Sequence, residues 1–290
     1  MADGPRNCLS VNEAQKDGRN RLGPFRRATQ GDAMPIIYDQ DIDTGLGPIV
    51  FFNDTLYLLR GSYTNINDGF SRTSNVITIT GGAGSMLVFE DHGSLYSFGT
   101  GSALKLETSI DVTVNAGSTI SSKQYGVDLT GSGTNLSLTN FGRIHGDVTA
   151  IFGNSSTPYA HHLVNYGEIS GAFAYFDQNG NNFSTLDNWG VMIGNIGLGG
   201  NGDAVNNYGS ITGQVDLFTG GDTLFNSGTM RGAIAITSAF TSGSGDKTIT
   251  NTGVIESTDI GGNTAIKLFD GDDSLTNSGV IHGKIDFGSG

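Results

Sequence analysis

A single cysteine, Cys8, stands in a chain of 290 residues, so no internal disulfide framework braces it. No run of about 18 apolar residues occurs, and a helix crossing a membrane is therefore not expected within these residues. The N-terminus lacks the apolar stretch of roughly 7–15 residues that marks a secretory signal. Five prolines and the absence of a strict Gly-x-y period exclude collagen. Helical periodicity is nearly missing, because no stretch sustains a 3.6-residue apolar beat and glycine falls everywhere. Basic charge is scarce and badly spread. Residues 1–27 carry six of the 15 basic side chains and only three of the 28 acidic ones, leaving a strongly acidic body. An acidic body argues against nucleic-acid binding and against docking on anionic lipid.

What is present is a repeat. The core Asn-x-Gly-x-Ile/Met opens at Asn140, Asn165, Asn188, Asn207, Asn226, Asn251 and Asn277, at spacings of 25, 23, 19, 19, 25 and 26 residues. A period near 20–25 with short alternating strands and turn residues predicts a solenoid. In the copy beginning at Asn207, Gly209 is expected to supply a positive φ at a corner and Gly213 to turn the chain again. Ile211, Val215 and Leu217 point inward by alternation, and Gly220-Gly221-Asp222 makes another corner before Leu224. Circuits this short cannot be hairpins, so equivalent positions stack about 4.8 Å apart. The expected fold is all-β, a right-handed parallel β-helix with 19–26 residues per coil. Residues 1–34 read as a flexible basic arm and 35–75 as an N-terminal β cap containing a hairpin-like or corner turn at Asn53-Asp54. Residues 76–290 read as the β-helix, clearest over 115–290, with Asn115-Ala-Gly117 as a divergent first copy. The chain stops mid-circuit at Phe287-Gly-Ser-Gly290, so a fragment of something longer is expected.

Several columns carry chemistry. The seven asparagines form either an amide ladder between rungs or a row of glycan contacts. Phe141, Tyr166, Trp189 and Tyr208 follow four consecutive asparagines and read either as a glycan-stacking stripe or as a packed aromatic ladder. Asp203, Asp222, Asp246 and Asp273 precede their asparagines by four or five residues, each after Gly or Gly-Asp. They resemble fragments of the calcium-binding nonapeptide Gly-Gly-x-Gly-x-Asp-x-apolar-x, which makes Ca2+ the one cofactor suggested; plain Asp turns are the alternative. His145 and His282 share a place and should face outward. His161-His162 falls in an expected insertion around Pro158, and all four are read as solvated. Lys105, Lys123, Arg143, Arg231, Lys247, Lys267 and Lys284 occupy scattered repeat positions, whereas Asp216 and Asp286 share one, three circuits apart. No nucleophile elbow, zinc motif or phosphate loop is present, so no catalytic residue is assigned.

The segment Val205-Asn-Asn-Tyr-Gly-Ser-Ile-Thr-Gly-Gln-Val-Asp-Leu-Phe-Thr-Gly-Gly-Asp-Thr-Leu-Phe-Asn-Ser-Gly-Thr-Met-Arg-Gly232 resembles the degenerate repeats of bacterial autotransporter adhesin passengers. It is also similar to copies in type I-secreted calcium-binding repeat proteins. The resemblance implies an extracellular or cell-surface rod that adheres, aggregates or builds biofilm. Its partners would be glycans or proteins of a host or a neighbouring cell. A phage tail-spike-like virion β-helix and a polysaccharide lyase or epimerase are the two alternatives.

Overall fold

The computed structural model describes residues 92–288 apart from 131–134, 155–158, 179–181 and 239–244. It also describes six earlier strands, Ile36–Tyr38, Pro48–Val50, Thr55–Leu58, Ser62–Asn65, Ile77–Thr80 and Ser85–Phe89. The basic arm and the Asn53-Asp54 turn lie outside the described residues. Among those described there is no helix. Short strands form one 11-stranded and one 18-stranded sheet, and the pairings between them are parallel. The molecule is an all-β parallel β-solenoid. One circuit from Asn207 shows the plan, with strands Ser210–Thr212, Val215–Asp216 and Thr223–Asn226 separated by corners. The seven asparagines are register partners on successive strands of the 11-stranded sheet.

The alternation explains the core. On the 11-stranded sheet the asparagine, the residue two before it and the residue four before it all face inward. The middle column runs Leu138, Leu163, Leu186, Val205, Leu224 and Ile249, each buried. Across the interior lie Ile144, Ile169, Met192, Ile211, Met230 and Ile255, likewise buried. Each side chain so buried contributes roughly 1.5–3 kcal/mol, and stacking makes that core continuous along the axis. The strands placed in a cap by the sequence join the same sheets: Ile36–Tyr38 pairs with Thr55–Leu58, which pairs with Ser85–Phe89. Pro48–Val50 pairs with Ile77–Thr80 in the other sheet.

Two expectations are corrected here. Val114, not Asn115, is the register partner of Asn140, while Ile120 pairs with Ile144. The corner between Val114 and Ile120 is two residues longer than its counterpart between Asn140 and Ile144, and Asn115 falls inside it with Gly117 at φ 85°. Gly209 also departs from expectation. It does not adopt a positive φ, whereas Gly213 does at 140°. Gly209 is needed for close approach, because a Cβ there would sit 2.2 Å from the Gly190 carbonyl oxygen of the preceding rung. Both atoms to be separated belong to stacked backbone, so neither yields cheaply. Gly209→Ala is expected to lower the unfolding free energy by roughly 1–3 kcal/mol. Gly221→Ala is the control: its added Cβ would meet nothing closer than 3.9 Å, and its thermal midpoint should match the parent's.

Candidate functional site

The asparagine column is buried, with Asn140, Asn165, Asn188, Asn207, Asn226 and Asn251 at 1% exposure or less. Each Nδ2 donates to the Oδ1 of the next asparagine at 2.7–2.8 Å, from Asn140 through to Asn277. The same amides donate to a backbone carbonyl of the following rung, as Asn207 does to Thr229 at 3.2 Å. The seven asparagines thus form a hydrogen-bonded ladder, internal from Asn140 to Asn251 and exposed at Asn277. An identical amide on every rung is what lets each donor find an acceptor one rung away.

The aromatic column is half exposed at Phe141, Tyr166 and Trp189. Successive ring centroids lie 4.9, 6.3 and 3.9 Å apart from Phe141 to Tyr208, with interplanar angles of 5°, 17° and 13°. Separations of 4.9 and 3.9 Å with near-parallel planes are too short for rings set side by side. They lie face on face. In those two pairs the faces cover one another, as in a packed aromatic ladder, while the Tyr166–Trp189 step is wider at 6.3 Å. Tyr208 continues the packing through a tilted contact with Phe225 at 5.6 Å.

The acidic residues are placed differently from expectation. Counting four residues back from each asparagine gives one inward column: Leu136, His161, Ser184, Asp203, Asp222, Lys247 and Asp273. Lys247 occupies the place assigned to Asp246, which lies outside the column and accepts from the Asp272 N–H at 2.9 Å. Asp203 Oδ1 accepts from the Ser184 N–H at 2.6 Å, Asp222 Oδ1 from Asp203 at 2.8 Å and Asp273 Oδ1 from Lys247 at 2.8 Å. Each carboxylate thereby satisfies a backbone donor one rung back. Lys247 Nζ reaches Asp222 Oδ2 at 2.7 Å, and both side chains are wholly buried. Among the described residues no group of three or more His, Cys, Asp or Glu side chains is arranged to hold a metal ion. The four aspartates do not converge on a common point; they are strung along the axis or, for Asp246, set aside from it.

His161 corrects a further expectation. It belongs to strand Ala160–Asn165, is buried, and places Nδ1 2.7 Å from the Tyr175 hydroxyl. That hydroxyl lies 2.8 Å from Ser184 Oγ, and burial together with the Asp177 charge pushes Tyr175 well above the usual phenol range. Burial likewise raises Asp222, opposed chiefly by its bond from Lys247. Asp216 and Asp273 are raised for the same first reason. His162 faces outward and pairs with Asp187 at 3.2 Å; His145 contacts Ser170 and Asp147 at 3.0 and 2.9 Å. His282 is exposed in the same column as His145. Asp216 and Asp286 share a column with Thr237 and Lys267 between them. Groups buried as deeply as His161, Tyr175 and Asp203 cannot touch a substrate in this conformation. What the interior can do is hold protons and cross-link rungs.

The geometry defines a class, the parallel β-solenoids built from degenerate repeats. No protein family, curated protein or solved structure matches the chain.

Proposed function

We propose that this chain is a non-catalytic surface or secreted solenoid, a rod that adheres to glycans or proteins of a host or neighbouring cell. The observation that carries the reading is the asparagine ladder, continuous from Asn140 to Asn277. A hydrogen-bonded spine of this kind favours length and rigidity, while outward columns such as His145, Ser170, Ile193, Thr212 and Arg231 change chemistry from rung to rung. A rigid axis with a variable outer face suits multivalent contact along its length. The autotransporter-like repeat points the same way and to an extracellular or cell-surface location.

The full chain, immobilised on beads, is expected to bind saturably to cells or to a subset of an immobilised glycan set. Its light-scattering mass decides against one alternative: a stable trimer would favour a virion spike. Release of unsaturated sugars from acidic polysaccharides would overturn the non-catalytic reading outright.

A further inference from the structure

We propose that Asp203 is a proton-operated lock inside the solenoid: a proton taken up by its carboxyl completes the buried polar column and holds the central rungs more tightly in acid than above neutrality. Asp203 is 2% exposed. Its Oδ1 accepts from the Ser184 N–H, but among the described residues its Oδ2 has no hydrogen-bond partner, nor has Oδ1 of the equally buried Asp177. An ionised carboxylate with a bare oxygen in a dry interior is costly, and neutralising it by protonation is the usual relief.

The surroundings leave Asp203 little other compensation. From the rung above comes Ser184, a neutral group. From the rung below comes Asp222, whose charge is already matched by Lys247 at 2.7 Å. Asp273 follows beyond Lys247 and accepts from its backbone N–H. The opposite wall, strand Glu168–Asp177, contributes Tyr175 and Asp177, and His161 joins through the Tyr175 hydroxyl. Asp177 Oδ2 accepts from Asn182 Nδ2, a neutral donor, at 2.7 Å, and among the described residues neither Asp177 nor Asp203 forms an ion pair. Burial first, and the Asp222 and Asp177 charges after it, push Asp203 up to about 7 against the pull of Ser184 and Lys247.

The sign follows from linkage. An unfolded carboxyl ionises near 3.8 and the folded one near 7, so between those values the folded chain keeps a proton that the unfolded chain releases. The resulting stability is full below pH 4 or so, falls through the interval and is gone above neutrality. Asp216, Asp222 and Asp273 shift in the same direction, and the net charge of −13 adds repulsion as pH rises. A slope alone therefore does not isolate Asp203.

Asp203→Asn does. The amide keeps the oxygen facing Ser184 and the shape of the protonated acid, without the titration. Thermal midpoints of the full chain and of the variant, taken from about pH 4 to mildly basic pH, should coincide at the acid end. They should separate progressively as pH rises toward neutrality and keep the full gap above it, with the variant the more stable. The carbon-13 resonance of the Asp203 carboxyl in the parent protein should titrate near neutral. Parallel melting curves would overturn the proposal, as would a resonance titrating in the ordinary carboxylate range. Should the variant fail to fold, that resonance decides the matter alone.

Discussion

Lys247→Met lowers the unfolding free energy by roughly 3–5 kcal/mol, the cost of removing one member of a buried ion pair. Lys247 and Asp222 are both wholly buried and meet at 2.7 Å. The ammonium also donates to the Gly220 carbonyl, and the Lys247 backbone N–H donates to Asp273, so three rungs meet at this residue. Methionine fills the stem's volume but carries no charge. Asp222 is then left ionised in a dry interior, with only the Asp203 N–H to hold its charge. Lys247 is what opposes the upward push of burial on Asp222, so without it that carboxyl rises further. By linkage the loss is largest at mildly basic pH and shrinks as acid protonates Asp222. Denaturant unfolding at two pH values measures both effects. Adding Asp222→Leu should restore much of the loss, since two apolar side chains replace a pair whose desolvation nearly offsets its attraction. A loss under about 1 kcal/mol for Lys247→Met would mean that water reaches the pair.

The asparagine ladder is legible in the sequence for a physical reason. Its hydrogen bonds join a residue to its own equivalent one circuit away, so the bonding pattern must appear as identity at a period. The column four places before the asparagines obeys the same register but not the same chemistry. Its members are Leu136, His161, Ser184, Asp203, Asp222, Lys247 and Asp273. Counting back from Asn251 lands on Lys247, yet the neighbouring Asp246 continues the run of aspartates, and residue type is a poorer guide than position. Tyr175, on the opposite wall, lies beyond reach of any count within one sheet. Gly209 shows a different limit. A corner that needs a positive φ and a rung that needs close backbone approach both select glycine, and only coordinates separate them. Asn115 was misleading because a corner lengthened by two residues put it one place from the column.

Asn207→Ala lowers the unfolding free energy by roughly 2–4 kcal/mol, whereas Asn277→Ala costs about 1 kcal/mol or less. The two residues have the same type and the same register, so only their surroundings differ. Asn207 is fully buried; it accepts from Asn188 Nδ2 at 2.8 Å and donates to Asn226 Oδ1 at 2.7 Å and to Thr229 O at 3.2 Å. Truncation removes the Asn207 donor to Asn226 Oδ1 and takes one acceptor from Asn188, whose amide still reaches the Ser210 carbonyl. A buried acceptor that loses its donor costs about 1–3 kcal/mol, and the small cavity adds to that. Asn277 is exposed, and water can replace what its side chain gives to Asn251. Neighbouring rungs share the effect, because each amide polarises the next and stability in a stacked array is a sum of nearest-neighbour contacts. Amide exchange should therefore quicken first in the rungs carrying Asn188, Asn207 and Asn226 and least in those near Asn140. Equal losses for the two alanine variants would show that the amides act singly, and the axial rigidity on which the adhesive-rod proposal depends would have to come from the apolar columns alone.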